Sequence, residues 1–152
     1  GGGRPGLGLT RSLAADGHAV RFVTRDPAFA PQIEAAGGEP WIGDPDRIGT
    51  LRYALDNVTV LLWLLGPVAD PDLHGSRLQM MLERTIDTTV RGVLYEGTDD
   101  GARIVARMAG YNEIPYRRLT VPRRPADRWA DAVLDAIAEL LSADRGVGGA
   151  PA

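Results

Sequence analysis

Two residue types are missing from the chain. There is no cysteine, which excludes disulfides, thiolate nucleophiles and cysteine-ligated metals. There is no lysine either: all 17 basic residues are arginine, so any mechanism that needs a titratable lysine amine is excluded. Histidine is scarce, with only His18 and His74, and no spacing of carboxylates around them suggests a metal site. Excess charge is missing too. A net charge of -3 and no dense basic run give no footprint for nucleic acid or for an anionic membrane surface. The longest apolar run, Thr59 to Ala69, is about half of the roughly 20 residues that span a bilayer, and reads as a buried strand. With no leader visible and no cysteine, the cytoplasm is the expected compartment.

What is present is the composition of one globular domain: 152 residues, 44 % hydrophobic and 24 % charged. Residues 1–143 are expected to form it, with a disordered tail at 144–152 that has little to bury. Apolar residues four apart, Leu9 and Leu13, predict a helix ending at "DGH", and "AVRFVT" (19–24) predicts a strand. A short helix from Pro31 to Gly37-Gly38 and a strand at "PWIGD" follow. Ile48, Leu51 and Leu55 predict another helix, and "VTVLLWLLG" an interior strand apolar on both faces. Asp70 and Pro71 open a helix through Leu73, Leu78, Met81 and Leu82. Next come a strand at "VRGVLYEG", a helix closed by Gly110 and an edge strand at "PYRRLTVP". Trp129, Val133, Ile137, Leu140 and Leu141 then line one stripe of the last helix.

Alternating strands and helices imply an α/β fold: a doubly wound parallel sheet, Rossmann-like, in three α/β/α layers. Only five strands are visible, whereas a full sheet of this kind has six in the order 3-2-1-4-5-6. The absent one would be the first, in the middle. The expectation is that five or six aliphatic or β-branched residues precede Gly1.

The opening "GGGRPGLGLT" parses as G-x-G-x-x-G at Gly1, Gly3 and Gly6, or as G-x-x-x-G-x-G at Gly2, Gly6 and Gly8. The first is preferred, because a helix from Gly6 to Gly17 has about three turns at 3.6 residues each. Its amino end would offer unpaired N–H groups and a positive dipole to a pyrophosphate, with Arg4 beside it. The alternative is a flexible terminus. About 20 residues further on, where such fingerprints place a ribose-binding group, stand Thr24 and Arg25 in "VTRDP". A forked guanidinium suits a 2′-phosphate where an acid would suit a 2′-hydroxyl, so NADP is favoured over NAD. A solvated loop arginine is the competing reading.

These stretches, from Gly1 to about Pro67, carry a resemblance. The glycine loop, "GH" before the second strand, "RDP" after it, "GD" after the third and "ALDNV" before the fourth resemble the NmrA-like, atypical branch of the short-chain dehydrogenase/reductase superfamily. The resemblance implies a Rossmann fold binding NADP or NAD, with Gly43-Asp44 near the adenine and Leu65-Gly66-Pro67 along the cofactor. Asp44 is equally suited to cap a helix. The later half departs from the pattern. Catalytic members use a Tyr-x-x-x-Lys pair, and none of Tyr53, Tyr95, Tyr111 or Tyr116 has a lysine to work with. A large substrate lobe is not expected after the last strand.

Other candidates are weaker. His74 lies near the end of the "VLLWLL" strand, where open α/β sheets bind ligands, but reads first as an exposed helix-face residue. Tyr95, Glu96, Asp99 and Asp100 are placed to line the same edge, with helix capping as the ordinary role of the aspartates. Five arginines in "PYRRLTVPRRPADR" read as a solvated edge that resists pairing. The leading expectation is an NADP-binding domain, with oxidoreductase activity undecided; the alternative is a non-catalytic dinucleotide sensor or protein-interaction module. A homo-oligomer is compatible with either.

Overall fold

The computed structural model describes residues 3–143, so Gly1 and the tail at 144–152 lie outside the described residues. Helix α1 spans Gly3–Ala15 and buries Gly6, Leu7, Leu9, Thr10 and Leu13. It begins one turn before the Gly6 boundary expected from the glycine spacing, so Gly6 is inside the helix. It ends as expected. Gly17 takes φ +85°, its N–H donates to Ala14 O, and His18 N–H donates to Leu13 O, which satisfies the last carbonyls. Helix α2 (Ala30–Ala35) ends the same way at Gly37.

The five strands are β1 (Arg21–Thr24), β2 (Glu39–Ile42), β3 (Val60–Leu64), β4 (Gly92–Glu96) and β5 (Tyr116–Arg118). All pairings are parallel. Among the described residues they make two ladders, β1-β2 and β3-β4-β5. These are the pairings that positions 3-2 and 4-5-6 make in a sheet of order 3-2-1-4-5-6. Among the described residues β3 pairs with β4, and β4 is paired on both sides with each of its residues buried. Strand β5 is at the edge, as expected.

Side chains alternate across β3 and β4 and divide the core in two. Leu61, Trp63, Val93 and Tyr95 pack with Leu78, Met81 and Leu82 of α3 (Ser76–Thr85) and with Val105 and Ala109 of α4 (Asp99–Tyr111). Leu94 and the opposite side of β3 pack with Leu9 and Leu13 of α1 and with Trp129, Val133, Ile137 and Leu140 of α5 (Ala126–Ser142). A smaller cluster joins Leu7, Phe22, Ile33 and Ala36 under α1, β1 and α2. Parallel strands covered by helices on both sides form the Rossmann-like α/β fold.

Three predicted helices differ. Residues 48–55 form only a 3-10 helix, Ile48–Leu51, followed by turns, although Ile48, Leu51 and Leu55 are buried as their spacing required. Gly49 has low helix propensity, and the Thr50 hydroxyl ties the segment to the preceding loop, accepting from Asp44 N–H and donating to Arg47 O. The helix from Asp70 is broken: a 3-10 helix (Pro71–His74) is capped by Asp70, and Gly75 turns the chain before α3 starts. Helix α4 runs past Gly110, and Glu113 at φ +57° makes the reversal, with Ile114 N–H donating to Ala109 O.

Candidate cofactor site

Because the strands are parallel, their carboxyl ends share one edge, and the loops after them meet there. Helix α1 points its amino end at this edge. A Cβ on Gly37 or Gly38, which precede β2, would come within 2.9 Å of Ala14 or Thr10, so the later turns of α1 lie at the opposite edge. Its first turn carries no acidic residue, and Gly3 and Arg4 are exposed there. Gly6 is buried, and its carbonyl accepts the Thr10 hydroxyl at 2.8 Å.

Beyond β1 and β2 lies a cleft of about 290 Å³ lined by Arg25, Ile42, Gly43, Asp44, Arg47 and Thr50. The sequence placed Arg25 and Asp44 at this site, and the fold brings them together. Gly43 N–H donates to Thr24 O at 2.9 Å, tying the two loops. Thr24 turns its hydroxyl to its own loop, accepting from Asp26 N–H. Asp44 does not cap the following 3-10 helix; its Oδ1 accepts from Asp46 N–H at 2.9 Å and stabilises the turn itself. Trp41 abuts this loop, with its indole N–H on Thr50 O at 3.0 Å.

Beyond β3 and β4 the chemistry is internal. Glu96, only 6 % exposed, accepts from Arg123 Nε (2.9 Å) and Nη2 (2.5 Å), from the Trp129 indole N–H (2.8 Å) and from Gly66 N–H (3.2 Å). Arg123 also donates to Leu64 O and stacks 4.3 Å from the Trp129 ring centre. Thus Gly66, expected along a cofactor, is exposed but has its amide engaged by a carboxylate, whereas Leu65 is half-buried. Sequence reasoning missed Arg123, which it read among solvated arginines. The one cue was a carboxylate ending an otherwise apolar strand.

His74 is also corrected: it is 3 % exposed, not on an open helix face. Its Nε2 lies 2.9 Å from Val68 O, which only accepts, so in the neutral ring Nε2 carries the proton and Nδ1 accepts from the Tyr95 hydroxyl at 2.7 Å. That hydroxyl in turn accepts from Thr98 N–H. A Cβ on Gly97 or Gly101 would collide with it. Thr98, rather than an aspartate, caps α4. Asp100 pairs with Arg103, and Asp99 with Arg118 at 2.6 Å, which holds the Asp99 carboxyl below its usual pKa. Tyr95, Asp99, Arg103, Tyr116 and Arg118 help line a second cleft, about 250 Å³, between α4 and β5.

No family model matches the chain, and no curated protein matches its sequence. Solved structures do match. Triphenylmethane reductase from Citrobacter sp., complexed with NADP(H), superposes with a TM-score of 0.60 at 20 % identity over 76 % of this chain. An NADPH-dependent quinone oxidoreductase from Escherichia coli superposes with a TM-score of 0.61 at 17 % identity over 95 %. The alignments span 45 % and 63 % of those proteins, so the chain corresponds to part of each. The likeness is one of fold, and agrees with the Rossmann-like architecture described above. Among the described residues, no helix is long and apolar enough to cross a membrane.

Proposed function

We propose that the chain is an NADP(H)-binding domain of the oxidoreductase type. The observation that carries this is Arg25: an exposed guanidinium in the cleft at the carboxyl ends of β1 and β2, at the position where a Rossmann domain distinguishes a 2′-phosphate from a 2′-hydroxyl. The residues present fit the group. Gly3 and Arg4 at the start of α1 would face the pyrophosphate, with no carboxylate in that turn to repel it. Gly43 and Asp44 would lie by the adenine, and Leu65 and Gly66 along the nicotinamide half. The NADP(H) of the triphenylmethane reductase structure and the NADPH dependence of the quinone oxidoreductase support the choice of cofactor. When bound, NADPH would supply hydride, and these residues would hold and orient it. With no lysine in the sequence, no tyrosine is assigned the proton-transfer role of a Tyr-x-x-x-Lys pair.

Fluorescence titration tests the reading, with Trp41 beside the cleft as reporter. NADPH should bind at least about tenfold tighter than NADH, about 1.4 kcal/mol, and Arg25→Ala should abolish that preference. If neither dinucleotide binds, the reading is wrong.

A further inference from the structure

We propose that Arg47 is a second ligand of the adenosine 2′-phosphate, reaching it from the loop after β2 as Arg25 does from the loop after β1. The inference rests on the NADP reading and adds a residue that no sequence motif marks.

The charge balance calls for it. A phosphate monoester carries roughly -1.5 to -2 near neutral pH, so one guanidinium leaves it incompletely neutralised. Arg25 follows β1 and Arg47 follows β2; these strands are hydrogen-bonded neighbours, and both arginines line one cleft. Both are exposed, and neither enters any ion pair formed among the described residues. Two cations facing one concavity with no internal partner suit a dianion that brings its own charge.

The acidic groups nearby have partners of their own. Asp44, the cleft's one carboxylate, is engaged by Asp46 N–H, and Asp46 itself pairs with Arg77 at 3.3 Å. The loop that presents Arg47 is held by backbone bonds, not by its side chain. Arg47 N–H donates to Asp44 O at 2.8 Å, and the Thr50 hydroxyl donates to Arg47 O at 2.7 Å. A Cβ on Gly43 would come within 2.6 Å of Leu51, so the loop lies hard against the core. The guanidinium is therefore free to bind on a stem already fixed, which lowers the ordering cost of binding.

The test titrates the unsubstituted chain, Arg25→Ala, Arg47→Ala and Arg47→Lys with NADPH, NADH, adenosine 2′,5′-bisphosphate and 5′-AMP. Arg47→Ala should weaken NADPH and the bisphosphate about tenfold, while NADH and 5′-AMP stay within about twofold. Arg47→Lys, which keeps the charge and loses the fork, should recover part of the loss. An equal loss for all four ligands would mean that Arg47 touches something other than the 2′-phosphate, and overturns the inference. So does unchanged NADPH affinity in Arg47→Ala, and if Arg25→Ala still loses its preference the NADP reading survives alone. If the unsubstituted chain binds no NADPH, both fall together.

Discussion

At one end of the carboxyl edge, beyond β1 and β2, Arg25 and Arg47 stand in solvent around a cleft, and neither has an ion-pair partner among the described residues. At the other end, beyond β3 and β4, Arg123 is 23 % exposed and engaged by Glu96, Leu64 O and the Trp129 ring, while His74, Tyr95 and Thr98 form a chain of hydrogen bonds. The same residue type, arginine, is used in opposite ways. Where polar groups satisfy one another inside the protein, their removal strands a buried partner and costs stability. Where they face solvent, their removal costs the fold little and shows only when a ligand arrives. The end beyond β3 and β4 holds loops, strands and α5 together; the end beyond β1 and β2 is left available.

The largest effect expected from breaking this comparison is at Glu96. Glu96→Ala leaves Arg123, the Trp129 indole N–H and Gly66 N–H without their common acceptor. Losing one side of a buried pair costs about 3–5 kcal/mol, and the partial exposure of Arg123 puts this case near about 3. Urea denaturation reads it directly. A loss under about 1 kcal/mol would show that water replaces the carboxylate and that this end is as open as the other.

Next in size is Tyr95→Phe. It keeps the ring, one of the largest fully buried side chains, and removes only the hydroxyl between His74 Nδ1 and Thr98 N–H. Both are left unpaired, for a cost of about 1–2 kcal/mol. The nitrogen NMR signals of His74 should report the loss of the Nδ1 partner with Nε2 still protonated. Unchanged stability and unchanged His74 signals would mean that the chain of bonds is dispensable.

How much of this was legible in the sequence follows the same division. Strands β3 and β4 and helix α5 were readable because apolar continuity and a 3.6-residue stripe are local signals of burial, and Trp129, Val133, Ile137 and Leu140 are buried as their spacing required. Arg25 was readable as the residue just after a strand, which is a matter of counting. Arg47 was not, since its position depends on a loop closed by the Thr50 hydroxyl, a bond with no periodic trace. Glu96 and Arg123 are 27 residues apart, and His74 and Tyr95 are 21 apart, so only the folded chain pairs them. The helix expected across Gly75 failed for a related reason: the chain breaks there, where His74 reaches both Val68 O and Tyr95.

The smallest expected effect sharpens the comparison most. Arg25→Ala combined with Arg47→Ala should change unfolding free energy by no more than about 0.5 kcal/mol, because neither side chain has an internal partner among the described residues and both are exposed. Removing two like charges from one concavity relieves a repulsion that is already weak in water and screened within about 8 Å at physiological ionic strength. The backbone bonds of Arg47 and the Gly43 N–H bond to Thr24 O do not depend on either guanidinium, so the loops should keep their shape. Urea denaturation of this variant beside Glu96→Ala puts both ends on one scale. A loss above about 1 kcal/mol in the double variant would mean that the two arginines serve the fold, and the contrast between a self-satisfied end and an available one would disappear.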